Sequence, residues 1–129
     1  MTYGNKLYLI IFISLFCLFI VGCTTNKNFY YELYDGFSIK KIDEEIKLYK
    51  NEELMKINDL NYKINEFKYN SDVVCLKLDN NEYYMIYYVD STIYGPFTKE
   101  SLEDSITSLS MTFKNDFQNI FKVEGLIYE

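Results

Sequence analysis

The sequence predicts an α+β domain, a curved antiparallel β-meander of five to seven short strands packed against one long C-terminal helix. Three observations carry that prediction. Short aromatic and β-branched runs alternate with turn dipeptides from residue 28 to residue 94. Gly95-Pro96 then closes the strand region. Beyond it the apolar spacing lengthens from two residues to three and four, the period of a helix.

Taken in order, residues 28–34 are aromatic and strand-like. Asp35-Gly36 follows, the pair favoured in a two-residue hairpin because both residues tolerate positive φ. Residues 37–42 form the return strand, Asp43-Glu44 reverses the chain, and residues 45–50 alternate apolar with charged. Residues 51–59 are polar around Leu54, Met55 and Ile57, as suits a loop or a single helical turn. Residues 60–69 show a period of two at Leu60, Tyr62 and Ile64, then shift phase to Phe67 and Tyr69, which predicts a bulge near Asn65-Glu66.

Asn70-Ser71 turns the chain into a second hairpin, residues 72–78 and 82–89 around Asp79-Asn80-Asn81. Residues 83–89 are apolar on both faces, which places them in the middle of the sheet. Asp90-Ser91 leads to a short strand at 92–94. Thr98 is the expected N-cap of the helix, with Phe97 and Leu102 at the two positions of a hydrophobic staple. Leu102, Ile106, Leu109, Phe113, Phe117 and Ile120 then fall on a stripe roughly 80° wide, so residues 99–122 are expected to form one helix. A break near Asn115-Asp116 is the alternative, and Gly125 is the expected stop. Glu100, Glu103, Asp104 and Asp116 on the polar side favour core packing over a membrane-surface role.

The segment before this domain carries a different signal. Residues 1–6 are polar with one positive charge, Lys6, and residues 7–21 are almost continuously apolar. That run is short of the ~20 residues that span a bilayer as a helix and fits a secretory signal peptide instead. Ile20-Val21-Gly22-Cys23 closes it and resembles the bacterial lipobox. The resemblance implies cleavage between Gly22 and Cys23 and a lipid, palmitate-containing, on the Cys23 thiol. Two acyl chains suffice for stable anchoring where one is marginal. An uncleaved transmembrane anchor is the competing reading. The expected organisation is a signal peptide at 1–22, a lipidated tether at 23–28 and a single α+β domain at 29–129, held on the extracytoplasmic face of the cell membrane.

Composition narrows the chemistry. All 19 acidic residues and 12 of the 13 lysines follow residue 22, so the mature part carries a net charge of −7. That balance argues against nucleic acid or an anionic membrane surface as the main ligand and leaves room for a protein partner. The chain has no His, Arg or Trp. It therefore lacks the usual general base near neutral pH and the bidentate fork for phosphate. Cys17 leaves with the signal and Cys23 is lipidated, so Cys75 has no disulfide partner and is expected as a buried apolar residue. Lys77 is the nearest cation along its strand.

The mature domain also resembles an uncharacterised family of small Gram-positive lipoproteins, domain of unknown function 3997. Two stretches carry the resemblance, Tyr31-Glu-Leu-Tyr-Asp-Gly-Phe-Ser-Ile-Lys-Lys-Ile42 and Tyr87-Tyr-Val-Asp-Ser-Thr-Ile-Tyr-Gly-Pro-Phe-Thr-Lys-Glu-Ser-Leu102, about a quarter of the mature chain. It supports the fold outline and implies no activity.

Motifs for catalysis or metal binding are weak. Ser38-x-x-Lys41 spells a penicillin-binding pattern, but on a strand the two residues point to opposite faces. Asp79-Asn80-Asn81-Glu82 lacks the glycine and spacing of a calcium loop. The doublets Tyr30-Tyr31, Tyr83-Tyr84 and Tyr87-Tyr88 put one ring on each face, which leaves half of them as possible recognition residues. No catalytic residue, metal ligand or cofactor is expected. The first functional expectation is a non-enzymatic surface binding or envelope-accessory lipoprotein. The second is an immunity or inhibitor lipoprotein that neutralises a toxin or cell-wall hydrolase with a protruding acidic loop at residues 51–59.

Overall fold

Nine strands arrange themselves in two antiparallel sheets, with one helix on the outside of the second, in a computed structural model that describes residues 27–59 and 61–128. The strands are β1 (Phe29–Glu32), β2 (Phe37–Ile42), β3 (Glu45–Lys50), β4 (Glu53–Leu54), β5 (Ile64–Tyr69), β6 (Val73–Leu78), β7 (Tyr83–Tyr87), β8 (Ile93–Phe97) and β9 (Ile127–Tyr128). The first sheet runs β4-β3-β2-β1-β9 and the second β5-β6-β7-β8. The helix α1 spans Lys99–Ser108. The expected single meander is thus two stacked sheets, and it has more strands than expected.

The reason lies in β6 and β7. Val73, Cys75, Met85 and Tyr83 face one way, while Val74, Leu76, Leu78, Tyr84 and Ile86 face the other, and all are buried. A sheet that is apolar on both faces needs two covers, and one helix supplies only one. The first sheet supplies the other. Phe37, Ile39 and Leu48 pack with Phe67, Leu76, Ile86 and Tyr88 in one core between the sheets. The second, smaller core gathers Val73, Cys75, Tyr83 and Met85 around Leu102 of α1.

β7 lies inside its sheet, as its two apolar faces predicted. The expected bulge is present, since the β5–β6 register shifts between Ile64 and Glu66. Gly95-Pro96 does not end the sheet: both residues lie within β8, an edge strand, at a register shift opposite Tyr83 and Met85. Edges and bulges are where a strand tolerates proline. Gly95 has φ +137°, and a Cβ there would sit 2.8 Å from the Tyr83 carbonyl oxygen and 2.7 Å from the Tyr84 ring, so only glycine fits.

The helix starts where predicted and stops early. Thr98 Oγ1 accepts the Ser101 N–H at 3.1 Å, and the staple residues Phe97 and Leu102 pack in the second core. At the other end Ser110 takes a φ of +52°. Met111 N–H bonds to the Ile106 carbonyl and Ser110 N–H to the Thr107 carbonyl, both at 3.1 Å, the paired bonds of a Schellman stop. Ser105, Thr107, Ser108, Ser110 and Thr112 crowd this stretch, and hydroxyl side chains that compete for backbone groups weaken a helix.

Phe113 and Phe117 still pack in the second core, but from an irregular segment. That segment then bridges β5, with Phe67 and Gln118 exchanging backbone bonds of 3.0 Å. A 3₁₀ turn at Ile120–Lys122 follows. Gly125, expected to stop the helix, has φ +88° and lies between this turn and β9 instead.

Candidate functional site

Gly22 and Cys23, the expected cleavage and lipidation residues, lie outside the described residues, as does the signal segment. The described chain starts at residue 27, and two bonds show where it joins the domain. Lys41 Nζ donates to the Lys27 carbonyl at 3.3 Å, and Asp43 N–H donates to Asn28 Oδ1 at 2.9 Å. Both bonds tie the chain to one end of the first sheet, where β1 begins.

The opposite end of both sheets is built from turns. Because the strands run up and down, the turns at Asp35-Gly36, Asn70–Asp72 and Val89–Ser91 come together there. Asp35 and Gly36 take φ of +54° and +82°, as the hairpin requires. Asn70 Oδ1 accepts the N–H groups of Asp72 and Val73 at 2.8 Å, while its Nδ2 donates to the Thr112 carbonyl at 3.1 Å. Lys50 Nζ donates to Ser91 Oγ across the two sheets. These bonds fix the turns relative to one another.

Two hollows open between them. One of about 430 Å³ is lined by Asp35, Asp72, Val89, Leu109 and Met111 among others. The other, of about 250 Å³, is lined by Tyr34, Lys68, Tyr69, Lys114 and Gln118. Asn70 belongs to both. The larger hollow has carboxylates and exposed apolar side chains on its rim, and the smaller has ammonium and phenol groups. Lys68 is committed inward, 4.8 Å from the centroids of Phe113 and Phe117. Such a surface suits non-covalent recognition of a partner with both polar and apolar groups.

Tyr88 lies beneath this end. The residue is 2% exposed, with its ring 5.8 Å from that of Tyr34 and 5.3 Å from that of Phe37. Its hydroxyl has no partner among the described residues, and burial holds its pKa far above the ordinary value. An unmade hydrogen bond at a buried hydroxyl lowers stability. Tyr88→Phe is therefore expected to fold at least as stably as the parent, with a gain of about 1 kcal/mol in urea unfolding. A loss of that size instead would reveal a bonded hydroxyl.

The other residues singled out from the sequence have structural duties. None of the doublet tyrosines is exposed; among the described residues the exposed tyrosines are Tyr34, Tyr94 and Tyr128. Strand alternation turned half of each doublet outward, but stacked neighbours cover that half. Tyr30 and Tyr49, for example, flank Lys40 Nζ on the outer face of the first sheet. Ser38 and Lys41 are both buried on β2, and Lys41 reaches back to Lys27. Asp79–Glu82 forms a hairpin turn in which Asn80 Oδ1 accepts the Glu82 N–H at 3.0 Å, while the Glu82 carboxylate accepts the Tyr84 hydroxyl.

Residues 51–59 are largely exposed, at 51–54, 56, 58 and 59, but are pinned to the domain at several points. Glu53–Leu54 pairs with β3, Ile57 is fully buried, and the Tyr62 hydroxyl donates to the Met55 carbonyl at 2.6 Å and accepts the Leu48 N–H at 3.2 Å. Burial pushes Tyr62 up to about 12. Cys75 is fully buried, and burial raises its thiol to about 12 with only a small opposing pull from Lys68. Lys68 lies opposite Cys75 on β5, whereas Lys77 is held 3.6 Å from Glu66. A thiol so shielded is a poor nucleophile. Among the described residues no three of Cys, Asp and Glu converge as metal ligands.

Comparison with known proteins finds no matching family model, no matching curated protein and no matching solved structure.

Proposed function

We propose that this protein is a lipid-anchored, extracytoplasmic binding or envelope-accessory protein of the cell membrane, without catalytic activity of its own. The observation that carries the reading is the Ile20-Val21-Gly22-Cys23 pattern at the end of an apolar run of signal-peptide length. The architecture supports it. The tether joins one end of the sheets, and the rigid turn cluster with its two hollows lies at the other, so a membrane anchor on Cys23 presents the recognition surface outward.

Asp35 and Asp72 at the larger hollow, together with the exposed Val89 and Leu109, favour a protein partner that offers cationic and apolar groups. The same features keep the immunity reading as the second proposal, now resting on this whole end, where Asn51 N–H bonds to the Gly36 carbonyl, and not on residues 51–59 alone. No small molecule or nucleic acid is invoked. Among the described residues no helix is long and apolar enough to cross a membrane.

The anchor is tested in cells fed labelled palmitate. The parent chain is expected to take up label and to fractionate with membranes as a shortened product. Cys23→Ala should remain an uncut, unlabelled precursor. Persistent labelling of Cys23→Ala would sink the assignment.

A further inference from the structure

Exposed apolar side chains gather at both ends of the sheets, with Val89, Leu109 and Tyr34 at the turn cluster and a second group at the end nearest residue 27. At the end where β1 begins, Phe121 is 58% exposed and Tyr128 is 62% exposed, with Ile42 and Ile127 also open to solvent. The two rings are fixed in place. Phe121 and Tyr128 each meet buried Phe29 edge-on, at centroid distances of 5.5 and 5.8 Å. Phe29 is the first residue of β1, and Tyr128 is its cross-strand partner on β9.

The tether joins at this same end, and its last two residues are bonded to the sheet there. Only four peptide steps separate Lys27 from Cys23, a reach of at most about 14 Å for a fully extended chain. Phe and Tyr are residue types that settle at the boundary between headgroups and acyl chains. The charges at this end are mixed, with Lys27 and Lys122 against Asp43, Glu44 and Glu124, so anionic headgroups gain no net attraction.

We infer that the Phe121–Tyr128 end of the domain is a membrane-contact face, seated in the interfacial layer of the leaflet that holds the lipid on Cys23. This rests on the lipid-anchor reading, because a few exposed apolar groups hold a surface weakly unless a short tether supplies a high effective concentration. The lipid then does more than prevent escape. It selects one orientation, with the turn cluster and its hollows facing away from the bilayer.

The chain has no tryptophan, so a single introduced indole reports its own surroundings. The full lipidated protein carrying Phe121→Trp is reconstituted in phosphatidylcholine vesicles with or without bromine on the acyl chains. Val89→Trp, at the far end, is the control. Emission from Phe121→Trp is expected to fall about twofold with brominated lipid, as suits an insertion of a few ångströms, while Val89→Trp holds steady. Tyr128→Trp should repeat the result should Phe121→Trp disturb the turn.

Equal emission with both lipids at positions 121 and 128 overturns the proposal, and so does equal quenching at all three positions. A blue shift that grows with protein density but ignores bromine overturns it in favour of a second copy on this face. The anchor is scored separately by palmitate label and vesicle flotation. Label and flotation without quenching overturn the contact face alone, whereas an unlabelled Cys23 overturns the anchor and the face together.

Discussion

Between pH 9 and pH 12 this protein is expected to lose most of its stability, because that is the window in which its buried thiol and phenols are forced to ionise. Cys75 is raised from an ordinary 9.0 to about 12 and Tyr62 from 10.0 to about 12, both chiefly by burial, and burial lifts Tyr88 further still. A raised value means that the folded chain keeps a proton the unfolded chain has released. Stability is therefore whole below the unfolded values and drains away as pH climbs toward the folded ones. Each such group removes roughly 1.4 kcal/mol per pH unit inside its window. Three of them together remove several kcal/mol, comparable to the whole stability of a domain this size. Urea titrations at stepped pH, with tyrosinate absorbance read alongside circular dichroism, check this. Tyr62 and Tyr88 should ionise only as the fold is lost. Ionisation of every tyrosine in one step near pH 10 with an unchanged spectrum would refute it.

Phe67→Ala is expected to destabilise the domain by about 3–5 kcal/mol, the usual range for a buried aromatic truncated to alanine. Phe67 is fully buried in the core between the sheets, with its ring 5.7 Å from that of Tyr31 and 6.1 Å from that of Tyr69. It thus ties β5 to β1 through side chains, and to the segment after α1 through its backbone bridge with Gln118. The cavity left by alanine opens where three parts of the chain meet, so no single element can shift to fill it. A thermal melt should show a loss of at least roughly 12 °C. Phe67→Leu, which keeps most of the volume, should lose much less. A loss under about 1 kcal/mol for the alanine variant would show that the sheets do not depend on this ring.

Local features were legible wherever neighbours along the chain decide them. The bounds of β2 and β3, the phase shift near Asn65-Glu66 and the Thr98 cap all follow from side-chain period and turn chemistry. The stacking of two sheets was foreshadowed by residues 83–89, whose two apolar faces require two covers, but which segment would form the second cover depends on packing across the chain. The helix failed for a physical reason too. An apolar spacing of three and four ignores the hydroxyl side chains between the apolar positions, and those chains favoured a stop at Ser110. β9 is two residues long and owes its strand form to Phe29 and Tyr30 opposite it.

The turn cluster was half visible. Asp35-Gly36, Asn70-Ser71 and Asp90-Ser91 were each read as turns, and alternate turns of an up-and-down sheet share an end. What the chain order does not reveal is how one sheet lies on the other, which brings Tyr34 to Tyr69 and Lys50 to Ser91. The tyrosine doublets pack as structural residues, the other reading the sequence allowed, because alternation describes direction and says nothing about what lies outside the outward ring.

β1 sits between β2 and β9, antiparallel to both, and receives the tether at its first residue. A bound partner held at the turn cluster and a lipid held in the bilayer would pull the domain from opposite ends, along the strand direction. Ladder hydrogen bonds run perpendicular to the strands, so this tension loads the bonds on both sides of β1 in shear, all at once. Peeling, which would break them one by one, needs a sideways pull that neither attachment supplies. If Cys23 carries the proposed lipid, β1 is therefore the strand best placed to act as a mechanical clamp.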